Sequence, residues 1–294
     1  MEEADELSRK VEEWVLKAGV SLEYFSATAF EQAGFCVFQG YHVEGKDGRR
    51  EIDVMAHCTY DLGEYRLRLI SVVECKWSKD NPWAVFTSPM LKMTDAAVIS
   101  QTIGNELGSA LLWYMAGDSC LGQMELFNGA KVSAFSGRKV FEGGNKDEFY
   151  GSLQGVVAKA VAEMSSYNIL DANTSKWICI AFPVIVVDAP IFEITYDANL
   201  DQVKALEVNH TTIRWRGSQD WKFITSVDIV AKKYVPEFVK RLKANFDTIE
   251  ERAKIYFPHI LNFLKTRDMD SLQISQVSRG VGVPWFFARL MKRN

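Results

Sequence analysis

The sequence lacks the features that mark membrane and secreted proteins. No apolar run approaches the roughly 20 residues that span a bilayer. The longest run, WICIAFPVIVV at 177–187, is interrupted by Pro183 and is typical of a buried strand. The N-terminal residues, MEEADELSRK, are acidic and polar, which is unlike a secretory signal. We therefore expect a protein without a membrane segment.

Cysteine and histidine are also scarce. There are four histidines and five scattered cysteines, and no pair of cysteines has zinc-finger spacing. This usage favours reduced, buried thiols in a cytoplasmic protein over a disulfide framework or a zinc site. The sequence also lacks a glycine-rich loop followed by Lys-Ser/Thr, and it has no recognisable arrangement of Ser, Cys and His for a nucleophile.

Charge is distributed unevenly along the 294 residues. The net charge is −4, but residues 201–294 contain 17 basic and 10 acidic side chains, which leaves an acidic excess in residues 1–200. Such asymmetry can mark a binding surface, although a surplus on solvated helices needs no partner. We predict a core over 1–196 and a basic C-terminal extension over 197–294, made of strands and helices, that binds nucleic acid or a partner.

Hydrophobic periodicity predicts an α/β protein. Helices are expected over 2–18, 22–33 (with Ser21 as its cap), 147–166 and from 231 onwards, and one more somewhere in 91–117. Strands are expected over 35–43, 51–57, 66–77, 131–141, 177–187, 190–196, 205–216 and 222–230. Because short polar turns join the first three strands, they should form an antiparallel meander.

Charged residues interrupt two of these apolar strands. Glu74 and Lys76 share one face of ISVVECKWS, and Asp53 lies inside EIDVMAH. Pairing of the two strands would bring Asp53 near Glu74 and give a site with surplus negative charge. Close carboxylates resist joint ionisation unless a cation lies between them, and a hard divalent cation, Mg²⁺ or Mn²⁺, suits oxygen ligands.

A helix with Glu, a strand, a strand with Asp and a strand with Glu-x-Lys together resemble the PD-(D/E)xK nucleases. Their restriction-endonuclease-like fold implies a mixed central sheet flanked by helices. The resemblance covers residues 20–77. Glu23 matches the glutamate of the first helix, with Glu31 as second choice. Asp53, Glu74 and Lys76 match the motif that gives the family its name.

The resemblance implies a role for each matched residue. Asp53, Glu74 and the backbone carbonyl of Cys75 would ligate the metal, and Lys76 would orient the attacking water. Glu23 would order a water or a second ion. The activity implied is that of a Mg²⁺-dependent endonuclease acting on DNA, in restriction or phage defence.

The sequence departs from the family pattern in two places. Ile52 replaces the usual proline before the aspartate, and Gln101 is followed by Asn105 where one branch has Gln-x-x-x-Tyr. Two further acid-x-Lys pairs, Glu44–Lys46 and Asp220–Lys222, have no acid-bearing apolar strand before them.

Nucleic-acid contacts need basic or aromatic side chains. The candidates are Lys79, Arg214, Arg216, the basic residues of 234–246, and Arg289, Lys292 and Arg293 at the C-terminus. The aromatic tail WFFARLMKRN is expected to dock on the core or on a partner subunit, such as a second copy in a homo-oligomer. Most of the tryptophans (Trp77, Trp83, Trp113 and Trp215 among them) are expected in the core.

Three functions follow from these patterns. The first is a metal-dependent nuclease, with DNA as the favoured substrate. The second is a catalytically inactive module of the same fold that binds nucleic acid or protein. The third is a structural or regulatory protein in which Glu74 and Lys76 form a salt bridge, so that loss of Glu74 mainly lowers stability.

Overall fold

A computed structural model describes residues 2–17, 19–45, 48–78, 81–128, 132–141, 148–167, 176–216, 224–272 and 286–289. Its helices are α1 Glu2–Lys17, α2 Val20–Gln32, α3 Asp95–Ser100, α4 Glu106–Met115, α5 Ser119–Gln123, α6 Glu125–Asn128, α7 Glu148–Ser166 and α8 Val235–Thr266. Its strands are β1 Cys36–Gly45, β2 Gly48–Leu62, β3 Tyr65–Trp77, β4 Trp83–Lys92, β5 Ile103–Gly104, β6 Val132–Lys139, β7 Trp177–Asp188, β8 Ile191–Asp197, β9 Gln202–Val208, β10 His210–Arg216 and β11 Ile224–Ala231. Short 3₁₀ turns cover Lys232–Tyr234 and Met269–Leu272.

All eleven strands of the described residues join one mixed sheet, in the order β1-β2-β3-β7-β11-β10-β6-β4-β8-β9, with β5 beside β7. The antiparallel meander of β1, β2 and β3 is confirmed. Strand β7 pairs in parallel with β3 over its whole length and with β11 over its second half. The predicted α/β architecture, a mixed sheet flanked by helices, is therefore confirmed.

Strand β7 shows why the central part of the sheet is so apolar. A parallel strand covered on both faces has no solvent side, so it needs no polar alternation. Ten consecutive residues of β7, Ile178 to Val187, are buried. One core, on the side of α2, α4 and α8, contains Ile178, Ile180 and Val184. The other, beneath α7, contains Cys179, Ala181 and Ile185.

The C-terminal part of the chain contributes to this same sheet. Strand β11 lies between β7 and β10, and β9 forms an antiparallel hairpin with β8. Helix α8 buries Phe246, Ile249 and Phe263 in the core that it shares with α2 and α4. The sheet therefore does not separate residues 1–196 from residues 197–294.

Several local predictions needed correction. Helix α2 begins directly after Gly19, whose backbone is in the left-handed region with a φ of 82°. No side chain caps the helix, so the predicted Ser21 cap is wrong. Trp83 is fully buried, as expected, but it begins β4, a strand that the periodicity did not predict. The single strand expected over 205–216 is two strands that part at Asn209.

The C-terminal helix is longer than its prolines suggest. Helix α8 continues through Pro258, and Pro236 lies in its first turn, where its missing N–H leaves no hydrogen bond unmade. The tail packs inward: Phe287 is fully buried and Phe286 stacks on Trp113 with ring centroids 5.4 Å apart. In the described residues, docking on the core therefore accounts for these aromatics.

Two surface features differ from expectation. Cys36 and Cys120 are exposed, whereas Cys58 and Cys179 are buried as predicted. Helix α1 leaves Val11 and Trp14 more than half exposed, although they follow a helical stripe. Within the described ranges, no helix is both long enough and apolar enough to cross a bilayer.

Candidate functional site

The β2–β3 ladder ends where the two predicted carboxylates lie. Its last backbone pair on this side is Val54 with Val73, so Asp53 and Glu74 are the next residues along each strand. Beyond that pair, the backbone N–H of Cys75 donates to the Asp53 carboxylate, Oδ2, at 2.8 Å. A side chain thus replaces the backbone partner where the strands part. Both carboxylates point from this opening toward the space beneath α7.

Lys159 of helix α7 lies in this space. Lys159 Nζ lies 3.3 Å from Asp53 Oδ1 and forms a shorter salt bridge with Glu74 Oε2. Its side chain is only 11% exposed. A buried ammonium is stable when it is paired and hydrogen-bonded, and this one has two carboxylates. Lys159 therefore joins the two strands through their acidic side chains.

Lys76 approaches the same glutamate from its own strand. Its Nζ lies 2.7 Å from Glu74 Oε1, the oxygen that Lys159 does not take. Burial alone would lower the pKa of Lys76, but the charge of Glu74 and the hydrogen bond to it outweigh this and raise the pKa. Lys76 is therefore an ammonium at neutral pH, which suits a donor to water or to a developing negative charge rather than a base.

The pKa of Asp53 reflects its burial beside a second carboxylate. Burial and the negative charge of Glu74 raise the pKa of Asp53 above its ordinary value. Lys159, the Cys75 N–H and Lys76 offset only part of this rise. The ionised form of Asp53 is therefore less favourable here than in water, which is the condition under which an additional cation is attracted.

Glu23 lies at the edge of this charge cluster. It is in the first turn of α2, and its pKa is raised by partial burial and by the negative charges of Asp53, Glu51 and Glu74. The structure thus brings Glu23 within electrostatic reach of the strand carboxylates. Glu31, the second choice, is exposed near the other end of the helix.

Cys75 contributes its backbone rather than its thiol. The thiol Sγ lies 3.6 Å from Ser26 Oγ of α2, and burial raises its pKa. The N–H is taken by Asp53. Metal ligation by the Cys75 carbonyl stays a prediction.

Two other residues of the acidic strand, Glu51 and His57, differ in their surroundings. Glu51 is exposed, and His57 is buried, with its Nδ1 unpaired. Burial and the positive charge of Arg68 lower the pKa of His57 to about 4. His57 is therefore a neutral interior side chain at neutral pH. Lys46 and the Asp220–Lys222 pair lie outside the described residues.

The sequence-based charge count of the site was wrong. It had two carboxylates and one lysine, whereas Lys159 provides a second ammonium that balances Asp53 and Glu74. The signal for Lys159 was weak: it lies at the edge of the apolar stripe of α7, close to Val156 and Ala160. Only the packing of α7 on the sheet brings it to residues about 85 and 106 positions away.

The donor chemistry of the site suits a hard cation. In the part of the chain that the structure describes, no group of three or more His, Cys, Asp or Glu side chains could hold a metal ion. Mg²⁺, however, commonly binds through one or two carboxylates and fills its other positions with water and substrate phosphate oxygens. Asp53 and Glu74 supply two carboxylates, so the residues fit such an ion.

The predicted nucleic-acid contacts are only partly described. Burial lowers the pKa of Arg214, which lies in β10. Lys79, Lys292 and Arg293 lie outside the described residues, as does the side chain of Arg216. Among the tryptophans, Trp83 is fully buried, whereas Trp77 is 38% exposed one residue after Lys76.

Comparisons with known proteins assign the chain to no family. No protein-family model matches the chain, and neither the curated proteins nor the solved structures contain a match.

Proposed function

We propose that this protein is a metal-dependent nuclease that hydrolyses phosphodiester bonds, with DNA as the favoured substrate. The observation that carries the proposal is the meeting of Asp53 and Glu74 on one cation, with Lys76 on the same glutamate. This meeting supports the proposal, because the PD-(D/E)xK resemblance implies that Asp53 and Glu74 share a metal and that Lys76 acts beside them. Restriction or phage defence would be the family-level setting for this activity.

Each residue has a physical task in this proposal. Asp53 and Glu74 would hold Mg²⁺ or Mn²⁺, together with the carbonyl of Cys75. Such an ion would polarise the phosphoryl oxygens and make its bound water more acidic. Lys76, held charged by Glu74, donates a hydrogen bond that orients the attacking water and stabilises charge on the phosphoryl group.

Glu23 has a supporting task. Its raised pKa shows that it lies in the field of the strand carboxylates, so it can accept a hydrogen bond from water at their edge. Nucleic-acid backbone contacts would come from basic side chains around the site and in residues 197–294. The predicted homo-oligomer and the cytoplasmic location belong to the same proposal.

One observation favours an alternative. Because Lys76 and Lys159 equal Asp53 and Glu74 in number, each of the two strand carboxylates has an ammonium partner without a bound metal. The same fold could then bind nucleic acid or protein without cutting, or the cluster could be purely structural. In either case the two lysines have no catalytic task, so substitution of a lysine would change stability or binding alone.

The decisive experiment replaces Lys76 by methionine. Plasmid and single-stranded DNA are incubated with the wild-type protein and with Lys76→Met, in Mg²⁺, Mn²⁺ or EDTA. We expect metal-dependent cleavage by the wild type and a loss of about 10² to 10⁴-fold in the variant, because the positioned donor is gone. Folding should remain, since Glu74 keeps its contact with Lys159. Metal binding should remain, since Asp53 and Glu74 are both intact.

The matched control is Lys176→Met. Lys176 also forms a salt bridge, 2.8 Å from Glu64, but it is about half exposed and lies directly before β7. The Lys176→Met variant should cleave DNA as the wild type does. If DNA is bound but never cut under any of these conditions, the inactive binding module is the better description. Cleavage that survives Lys76→Met unchanged contradicts the proposed site.

A further inference from the structure

Lys159 contacts both strand carboxylates, which Lys76 does not do in the described geometry. Its Nζ is 3.3 Å from Asp53 Oδ1 and closer to Glu74 Oε2, whereas Lys76 meets the other oxygen of Glu74. Lys159 comes from a helix on the far side of the opening between β2 and β3. It therefore bridges the two acids in the way that a metal ion shared between them would.

We propose that Lys159 is a displaceable internal cation, whose ammonium holds the site together until a divalent ion takes its place between Asp53 and Glu74. This inference rests on the proposed metal-dependent function and assigns a regulatory role to a residue outside the family motif. Metal binding and the Lys159 bridge then exclude each other. Lys159 is a positioning residue in the metal-free protein and is free to meet an anionic phosphate once displaced.

Charge and size make the two states exclusive. Asp53 and Glu74 lie on adjacent strands, are both largely buried and both contact the Lys159 ammonium, so their negative charges need a cation beside them. Mg²⁺ draws its oxygen ligands to about 2.0–2.1 Å and requires near-octahedral geometry. An ammonium that hydrogen-bonds the same oxygens occupies that space and repels the ion.

The chemistry of lysine suits displacement. Its compact ammonium sits on a flexible four-carbon chain, unlike the rigid fork of arginine, which grips carboxylates in two places. Helix α7 is anchored independently of Lys159, through buried Leu153, Val156 and Val157. The side chain can therefore leave the carboxylates while the helix keeps its place.

Competition has a measurable consequence. A ligand that binds only one of two states has its apparent affinity lowered by the fraction of the competent state. Removing the Lys159 ammonium removes the competing state and should tighten metal binding. Removing Lys76 changes the net charge equally but leaves the bridge, so its effect should be smaller.

The test is calorimetric titration of Mn²⁺ into four metal-free proteins: wild type, Lys159→Met, Lys159→Arg and Lys76→Met. We expect Lys159→Met to bind Mn²⁺ at least about tenfold more tightly than the wild type. Lys76→Met should gain less, and the charge-conserving Lys159→Arg should bind no better than the wild type. A merely structural lysine gives no tightening.

The outcomes separate this inference from the proposed function. If the wild type binds Mn²⁺ and Lys159→Met binds it equally or more weakly, the competition is refuted while the nuclease proposal stands. If none of the four proteins binds Mn²⁺ or Mg²⁺, the metal-dependent function itself fails, and the inference fails with it.

A second measurement follows Lys159 in the wild-type protein. Wild-type protein with ¹⁵N-labelled lysine is titrated with diamagnetic Mg²⁺, and the ammonium signal of Lys159 is assigned by its absence from Lys159→Arg. Displacement should shift the signal or abolish it through exchange with water. A signal that stays unchanged at saturating Mg²⁺ shows that the bridge persists and overturns the proposal.

Discussion

The substitution Asp53→Asn separates a functional carboxylate from a structural one. Asparagine keeps the shape of the side chain and one acceptor oxygen but removes the charge. In the structure, Asp53 accepts the Cys75 N–H at 2.8 Å and lies 3.3 Å from Lys159 Nζ. A structural role predicts that losing this charge destabilises the fold, whereas a functional role predicts that activity alone suffers.

The geometry allows the change in stability to be worked out. Each hydrogen bond to a charged acceptor is about 1 kcal/mol stronger than a neutral one, so the two contacts together lose about 2 kcal/mol. Against this, the variant no longer buries a negative charge beside Glu74. The pKa of Asp53 reflects both effects, and it is raised.

The sign of that shift decides the outcome. A carboxyl whose pKa is higher in the folded protein than in the unfolded chain is destabilising when ionised, so its charge lowers the free energy of unfolding at neutral pH. Asp53→Asn should therefore leave the free energy of unfolding at pH 7.5 unchanged or raise it by up to about 1 kcal/mol. Cleavage should fall at least about 10³-fold, since a metal ligand is lost.

The assay combines urea unfolding in EDTA with cleavage of plasmid and single-stranded DNA in Mg²⁺. Asp61→Asn is the matched control on the same strand, since Asp61 is 85% exposed and its 3.7 Å contact with Arg66 is at the surface. The control should change neither quantity. Destabilisation by more than about 2 kcal/mol in Asp53→Asn, with cleavage unchanged, would refute the reasoning.

Three further predictions test the site and its support. Glu74→Gln leaves Lys159 and Lys76 without their shared carboxylate, and urea unfolding should show a loss of about 3 kcal/mol; an unchanged midpoint contradicts the network. The pKa of His57 is lowered to about 4, so the unfolded chain takes up the proton first as pH falls. Stability should drop by about 3 kcal/mol between about pH 6.5 and 4, and His57→Gln should remove this slope; an equal slope in the variant refutes the assignment. Gly108→Ala places a Cβ 2.1 Å from a backbone oxygen of β7, so α4 must shift. Thermal unfolding should occur at least about 2 °C lower, a loss of 1 kcal/mol or more, and an unchanged midpoint shows that the helix adapts.

The sequence carried much of the local information about the site. Alternation in the two strands puts Glu74 and Lys76 on one face and Asp53 inside an apolar run, and the short turn between the strands requires antiparallel neighbours. These are properties of a few adjacent residues, so a periodic pattern expresses them directly. The same holds for the stripe of α7, which predicted a helix over nearly its observed length.

The tertiary structure decided what the local pattern could not express. The order of β7, β11 and β10 in the sheet depends on pairings between segments far apart in sequence. So does the position of Lys159: periodicity places it at the edge of a helical stripe, but only the docking of α7 on the opening between β2 and β3 sets its ammonium on Asp53 and Glu74.

The sequence by itself therefore determined which strands carry the acids and which way their side chains point, because neighbouring residues on a strand fix that geometry. The balance of charge at the site was decided only by the fold. Electrostatic neutralisation depends on distances between side chains, and a helix some 85 residues beyond Glu74 supplies the cation that the local sequence left unaccounted for.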